Sequence, residues 1–180
     1  MAEPLRLVEP SLVPPLDEGF RPAVLADRQF QSEVADSGGG VPLVFGLERG
    51  DGSVSRFETR VFPDDDPRSD ANLMYGERLL KFLLWQKGGN RILIEGAPDI
   101  AASLAATYAP GGAREFDQSY FGERTYDAPF SIEAVDAVPE ANEGAMALGR
   151  HLDGCRIGFD LGGSDRKAAA VIDGKVVFSE

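Results

Sequence analysis

Five residues in the last part of the sequence have types and spacing that suit phosphate chemistry: Asp160, Gly162, Gly163, Ser164 and Lys167. A glycine pair lets a ligand approach backbone amides closely because no Cβ stands in the way, and Ser164 adds a hydroxyl. Such a cradle suits phosphate oxygens. A carboxylate at its edge can hold Mg²⁺, usually through water, and the cation offsets the repulsion between carboxylate and phosphate. The run therefore predicts a site for nucleotide phosphates and Mg²⁺.

Predicted strands must position these residues. In the strand before the glycines, Ile157, Phe159 and Leu161 fall on one face and Asp160 on the other, so the apolar trio anchors the strand. Small and branched side chains at residues 168–172 predict a return strand. An Asp-Gly pair then predicts a two-residue hairpin turn into a third strand.

The glycine pair alone has low specificity, because such pairs mark ordinary turns far more often than ligand sites. In the alternative interpretation, Asp160 caps the turn by accepting hydrogen bonds from its amides. The hydroxyl of Ser164 and the basic side chain of Lys167 lie beside the same glycines. Their presence favours the nucleotide interpretation over the turn cap.

Residues 156–180 consist of a predicted strand that ends in Asp-Leu-Gly-Gly-Ser, followed by a second strand and a hairpin turn. This order resembles the first phosphate-binding motif of the actin-like superfamily. Within that superfamily it resembles the ROK (repressor, open reading frame, kinase) and hexokinase-like sugar kinases. The ROK pattern has lysine where this chain has Asp165. The hexokinase-like pattern has a basic residue three positions after the Ser or Thr, and Lys167 matches it.

The resemblance implies the N-terminal portion of a ROK-like, ATP-dependent sugar kinase, with ATP and Mg²⁺ as cofactors and a small sugar as the second substrate. It assigns phosphate and Mg²⁺ binding to Asp160, Gly162, Gly163, Ser164 and Lys167. It also implies that the catalytic base lies outside this chain, which then holds no catalytic residue or separate metal site and is inactive alone. The alternatives are a non-catalytic binding or scaffolding module and a sugar-responsive ROK-type regulator.

Composition limits the class of protein. With 180 residues and 43% hydrophobic content, the chain can bury the core of one globular domain of ordinary size. A net charge of −12 disfavours a nucleic-acid partner, because neutralising phosphates needs a clustered basic surface. The single cysteine, Cys155, excludes an intrachain disulfide and fits a reducing cytoplasm. The most apolar run, residues 79–85, is too short to cross a bilayer, so we expect a cytoplasmic protein without a membrane partner.

The pattern along the chain predicts an α/β fold with a mixed sheet, in three parts. Residues 1–40, rich in proline and ending in three glycines, predict an irregular arm and linker. Residues 41–150 predict an α/β extension domain. Residues 151–180 are expected, from the resemblance, to begin an actin-like (ribonuclease H-like) kinase domain. Outside a complete kinase sheet its strands would present an unpaired edge, so self-association is expected.

The middle part carries the clearest secondary-structure signals. Residues 43–62 predict a hairpin turning at Asp-Gly, and a helix capped by Ser69 or Asp70 is expected to run to about Lys87. Its core face is predicted to hold Leu73, Gly76, Leu80, Leu83 and Leu84. A short strand, Arg-Ile-Leu-Ile-Glu-Gly, leads to a helix that starts at Pro98, and residues 113–138 predict one or two further strands.

Three other groups of residues are candidate sites. The acidic residues 64–66 predict a solvated loop, with metal binding as the alternative. The strand-to-helix junction at residues 95–98 could present helix amides to an anion, but Glu95 and Asp99 would repel one, which favours a structural role. His151 is the only histidine, and without a second His or Cys ligand it is a weak metal candidate.

Overall fold

The computed structural model describes residues 5–144 and 153–180. The chain divides into two compact units, residues 1–143 and residues 144–180. The described part contains a mixed four-stranded sheet with helices in the first unit and a separate three-stranded sheet in the second. The predicted α/β class with a mixed sheet is therefore confirmed.

The elements of the first unit are α1 (Ala23–Asp36), β1 (Val41–Glu48), β2 (Val54–Val61), α2 (Ala71–Lys87), β3 (Arg91–Glu95), α3 (Pro98–Thr107), α4 (Glu115–Ser119), a π-helical turn (Tyr120–Arg124) and β4 (Ser131–Ala134). The second unit contains β5 (Cys155–Leu161), β6 (Arg166–Ile172) and β7 (Lys175–Ser179).

The four-stranded sheet has the order β2-β1-β3-β4. Strand β1 pairs antiparallel with both β2 and β3, and β3 pairs parallel with β4. The predicted β1–β2 hairpin is confirmed. Helices α3 and α4 lie between β3 and β4 along the chain, as a parallel pair requires a crossover connection.

Helix α2 has the bounds that the sequence predicts. Asp70 is its N-cap residue but makes no capping hydrogen bond through its side chain. The helix ends at Lys87, and the following residue, Gly88, has a φ of 74° in the left-handed region that favours glycine. Of the predicted core face, Gly76, Leu80, Leu83 and Leu84 are buried, whereas Leu73 is 40% exposed. The prediction that Leu73 lies on the core face is therefore wrong.

Asn72 and Tyr75 are two polar residues that lie buried near the start of α2. The Asn72 side chain accepts a hydrogen bond from the backbone N–H of Phe62 at 3.0 Å and donates one to the Phe62 carbonyl at 2.8 Å. Phe62 follows the last residue of β2, so its backbone groups lie beyond the strand ladder. A polar side chain is buried here because it satisfies both of them.

The structure differs from the prediction of an irregular arm at residues 1–40. Helix α1 occupies 14 of these residues and buries Ala26, Phe30 and Val34 at steps of four. Phe30 stacks on Tyr75 with ring centroids 4.2 Å apart. The four-residue apolar step was present in the sequence, but the prolines before it and the glycines after it concealed a helix that tertiary packing stabilises.

Residues 113–138 contain one of the one or two strands predicted there, β4, but their first half is helical, which the sequence did not predict. Phe116 and Tyr120 are four residues apart, and their rings stack at a centroid distance of 5.9 Å. Over so short a segment, the spacing of the aromatic residues fits the four-residue step of a helix as well as the two-residue step of a strand. Helical packing around Trp85 decides between them: Tyr120 stacks on its ring at 5.0 Å.

The second unit is an antiparallel sheet in the order β5-β6-β7, as the sequence predicts. Its β6–β7 turn places Asp173 at φ 47° and Gly174 at φ 79°. Two successive left-handed residues are the mark of the type I′ turn that suits a tight hairpin, and Asp-Gly meets that requirement. The register shifts between Ala170 and Val171, where a β-bulge accommodates an extra residue.

Candidate functional site

The five predicted phosphate-site residues lie together at the β5–β6 turn. Asp160 is the next-to-last residue of β5, and Lys167 is the second residue of β6. The two are directly opposite in the antiparallel register. Opposite residues of an antiparallel pair project to the same face, so the carboxylate and the ammonium group share one face beside the turn. Gly162, Gly163 and Ser164 form the connection between them.

The two glycines play different parts in the turn. A Cβ at Gly162 would stand 2.9 Å from Asp165 Oδ1 and 3.1 Å from the Asp165 carbonyl oxygen. A side chain at Gly162 would therefore displace the flexible Asp165 carboxylate and crowd the Asp165 carbonyl within the turn. At Gly163 nothing lies within 4 Å of the corresponding position, which leaves open space that a ligand atom could enter. Neither glycine has a left-handed φ, so backbone conformation alone does not explain the pair.

Asp160 is exposed and accepts no hydrogen bond from any residue that the structure describes. The turn-cap interpretation requires its carboxylate to bond the amides of the turn. That bond is missing from the described contacts. The carboxylate remains open to solvent, as a ligand for a hydrated cation would be.

Lys167 has a partner that the motif does not predict. Its Nζ lies 3.2 Å from Asp165 Oδ2, and both side chains are more than half exposed. Ion pairs at such exposure contribute little free energy, because water screens both charges. An anion reaching the turn could therefore recruit Lys167 at small cost, although Asp165 adds a negative charge beside the site.

The acidic residues 64–66 form a loop with an internal ion pair. Arg68 donates to both carboxylate oxygens of Asp66, from Nε at 2.9 Å and from a terminal nitrogen at 2.8 Å. These hydrogen bonds hold the pKa of Asp66 below its ordinary value. Within residues 5–144 and 153–180, no group of three or more His, Cys, Asp or Glu side chains is arranged to hold a metal ion.

The strand-to-helix junction after β3 has a structural role in this unit. The Glu95 carboxylate accepts a hydrogen bond from the backbone N–H of Val138 at 2.8 Å. This hydrogen bond holds the segment after β4 against the sheet, where Val138 packs with Val44 and Leu93. His151 lies outside the described residues.

Sequence reasoning missed a groove on the first unit. Its lining includes Arg78, Lys81, Phe82 and Trp85, which lie on the outer side of α2, together with Arg114 from the loop before α4. The positions on α2 follow the steps of three and four residues that place side chains on one helical face. The sequence of α2 therefore contains a second helical face, composed of aromatic and basic residues, besides the face of leucines. This second face was the signal from which the groove could have been predicted.

None of the helices in the described residues has the length and apolar character of a membrane span. Comparisons of the chain with protein-family models, with curated proteins and with solved structures find no match.

Proposed function

We propose that the β5–β6 turn binds the phosphates of ATP, with Mg²⁺ held beside Asp160, in an ATP-dependent sugar kinase of the ROK-like or hexokinase-like type. The observation that carries this proposal is the position of Asp160: its exposed carboxylate has no partner among the described residues and lies directly across the strands from Lys167, next to the open position at Gly163. Under this proposal the three strands belong to an actin-like domain.

The turn would supply electrostatic stabilisation and positioning to the reaction. Lys167 and the turn amides would contact phosphate oxygens, and the hydroxyl of Ser164 lies within the same turn. Asp160 would hold the hydration shell of the Mg²⁺ that accompanies the nucleotide. In the transfer, a sugar hydroxyl attacks the γ-phosphorus, ADP departs, and the hydroxyl proton passes to a base that the proposal places outside this chain.

The exposed sheet face and the single cysteine are consistent with this assignment. Ile157, Phe159 and Leu161 are between 71% and 80% exposed, as expected of a sheet that further protein covers in a complete kinase domain. Cys155 is a free, exposed thiol, which suits a reducing compartment. We accordingly place the protein in the cytoplasm, with ATP and a small sugar as its ligands.

The proposal is tested by titrating the isotopically labelled chain with Mg-ATP and following backbone amide signals by NMR. The expected result is a saturable shift of the amides at Gly162, Gly163 and Ser164. Adenosine together with Mg²⁺ is the matched control, because adenosine lacks phosphates, and it should leave these signals unchanged. Cross-strand contacts between Ile157 and Ala170 report whether the sheet is formed. A formed sheet whose turn amides do not respond to Mg-ATP would refute the proposal.

A second test concerns catalysis. The chain alone should give no sugar-dependent ADP production across a panel of sugars, because the turn positions phosphates and supplies no base. Robust sugar-dependent ADP formation by the purified chain would show that a base lies within it. That result would refute the placement of the base and leave the phosphate-binding role of the turn standing.

A further inference from the structure

A groove of about 490 Å³ lies on the first unit, between α1, α2 and the loop before α4. The side chains that give it chemical character are Asp27, Arg78, Lys81, Phe82, Trp85 and Arg114. The groove lies wholly within residues 1–143, so it is a different feature from the β5–β6 turn. Its volume falls in the range of pockets that hold small molecules.

Trp85 forms a fixed aromatic platform at one side of this groove. Its Nε1 donates a hydrogen bond of 2.7 Å to Asp117, whose side chain is 3% exposed. Tyr120 stacks on the indole at a centroid distance of 5.0 Å and covers one ring face. Trp85 nevertheless remains 49% exposed, and Phe82 beside it on α2 is 59% exposed. Rigid aromatic surface of this kind binds flat apolar groups at low entropic cost.

The charged groups around the groove leave one cation, Arg78, without an ion pair among the described residues. Three cationic side chains line the groove, Arg78, Lys81 and Arg114, against one carboxylate, that of Asp27. Glu77 and Asp117 neutralise two of these cations, Arg114 and Lys81, so the groove as a whole carries no excess of positive charge.

Among these cations, Arg78 is the one that pairs with no carboxylate of the described residues. Lys81 pairs with Asp117 at 3.4 Å, and Arg114 pairs with Glu77. Arg78 forms no salt bridge with the described residues, and its Nε is buried without a hydrogen-bond partner. Asp27 attracts it only at longer range. A buried N–H donor such as this Nε is costly to leave unpaired unless a ligand or water completes it.

We propose that this groove binds a small aromatic acid, with its planar ring against Trp85 and Phe82 and its single anionic group paired with Arg78. Asp27 disfavours a second negative charge on the ligand, so a monoanion is the species that fits best. This inference is independent of the phosphate-binding turn, because it uses only residues of the first unit.

Trp85 provides a direct readout, since it is the only tryptophan in the chain and its indole N–H gives a single NMR signal. The probes are 2-naphthoate, its neutral counterpart 2-naphthamide and the cationic 2-naphthylmethylammonium. We expect 2-naphthoate to shift the Trp85 signal saturably and to bind about tenfold more tightly than the amide, the effect of one charge-assisted contact. The ammonium compound should bind most weakly.

The matched variants are Arg78→Gln and Arg28→Gln. Arg78→Gln should lower the affinity for 2-naphthoate to that for the amide and leave the amide's affinity unchanged. Arg28 is exposed and lies outside the lining of the groove, so its variant should keep the preference for the anion.

Equal binding of 2-naphthoate and 2-naphthamide would overturn the proposal, as would a preference for the anion that survives Arg78→Gln. Shifts confined to residues 155–179, with Trp85 unmoved, would show that the probe binds the exposed sheet face instead and would also overturn it. If Arg78→Gln does not fold, the comparison of the three probes on the unchanged chain decides the question.

Discussion

Strands β1 and β5 each carry a phenylalanine on an apolar face, yet the two side chains have opposite surroundings. Phe45 in β1 is 0% exposed, and Phe159 in β5 is 73% exposed. Over β1 lie helices that contribute buried residues such as Phe30, Leu80 and Leu104 to one core. Over β5 no helix of the described second unit is present. An alternating pattern therefore specifies a strand and its apolar face, but not what covers that face.

The contrast has consequences for stability. The first unit buries a continuous core between its sheet and its helices, as a domain needs in order to fold alone. The second unit has three strands with an exposed apolar face, an arrangement that is marginal in water without a covering layer. Disrupting the core of the first unit should therefore be costly, whereas changing the exposed face of the second should alter association more than folding.

The largest effect is expected from Leu80→Asp. Leu80 is 0% exposed on the core face of α2, and burying an unpaired carboxylate there should cost about 4 kcal/mol or more. That is comparable to the stability of a small domain, so the variant should unfold or aggregate. Thermal denaturation followed by circular dichroism gives the comparison.

The control for Leu80→Asp is Asp65→Ala, at an exposed position in the acidic loop. It should change the free energy of unfolding by less than about 0.5 kcal/mol. Equal thermal midpoints for Leu80→Asp and Asp65→Ala would contradict the position of Leu80 in the core.

Asn72→Ala should have the next largest effect. It leaves the backbone N–H and carbonyl of Phe62 buried and unpaired, which should cost about 2 kcal/mol or more. Asn90→Ala is the matched control, because Asn90 makes a single exposed side-chain bond, to the Pro129 carbonyl. Chemical denaturation of both variants should separate them, and a loss of similar size in the two would contradict this role for Asn72.

A smaller effect on folding is expected from Phe159→Ser in the second unit. Because Phe159 is already exposed, the change in unfolding free energy should stay below about 1 kcal/mol. Removing apolar surface should instead reduce self-association, measured by sedimentation velocity. Val176→Ser, opposite Val171 and on the other face of the sheet, is the control that should leave association unchanged. A chain that stays monomeric at all concentrations before any substitution would remove the basis of this prediction.

The smallest expected effect is on the loss of stability at acid pH. Hydrogen bonds from Arg91, and then from Ser131, hold the pKa of Glu133 below its ordinary value of 4.5. A carboxyl group whose folded pKa is depressed contributes its full stability above the unfolded pKa and loses it as the pH falls through the folded pKa. The wild-type chain should therefore lose slightly more stability than Glu133→Gln below pH 4.5. Denaturant midpoints measured across that range check this, and identical pH profiles for the two would contradict it.

Much of this fold follows from local sequence patterns. Both hairpins, α2, β3 and the start of α3 were predicted because turn residues, capping positions and apolar periods lie within each segment. Helix α1 and the helical turns around residue 120 were missed because tertiary contacts decide them. Asn72 was missed because its burial depends on Phe62, ten residues away in a different element.

The two candidate sites differ in the same way. The β5–β6 turn is contiguous in sequence, so its glycines, Asp160 and Lys167 could be brought together by pattern alone. The ion pair between Lys167 and Asp165 could not be predicted from the sequence, because it depends on the conformations that two flexible side chains adopt. The groove at Trp85 takes its lining from α1, α2 and a later loop, and no local pattern relates those segments.

The most direct test of the phosphate-binding turn compares Asp160→Asn with Asp165→Asn in Mg-ATP titrations of the labelled chain. The two residues are of the same type and five positions apart, and each variant removes one negative charge while keeping the shape of the side chain. Asp160→Asn should weaken the Mg²⁺-dependent binding about tenfold, because a cation ligand is lost. Asp165→Asn should strengthen binding a few-fold, because Lys167 is freed and a repulsive charge is removed. Equal affinities for the two variants, in chains whose β5–β6 sheet is formed, would contradict the assignment of Asp160 and the turn to nucleotide binding.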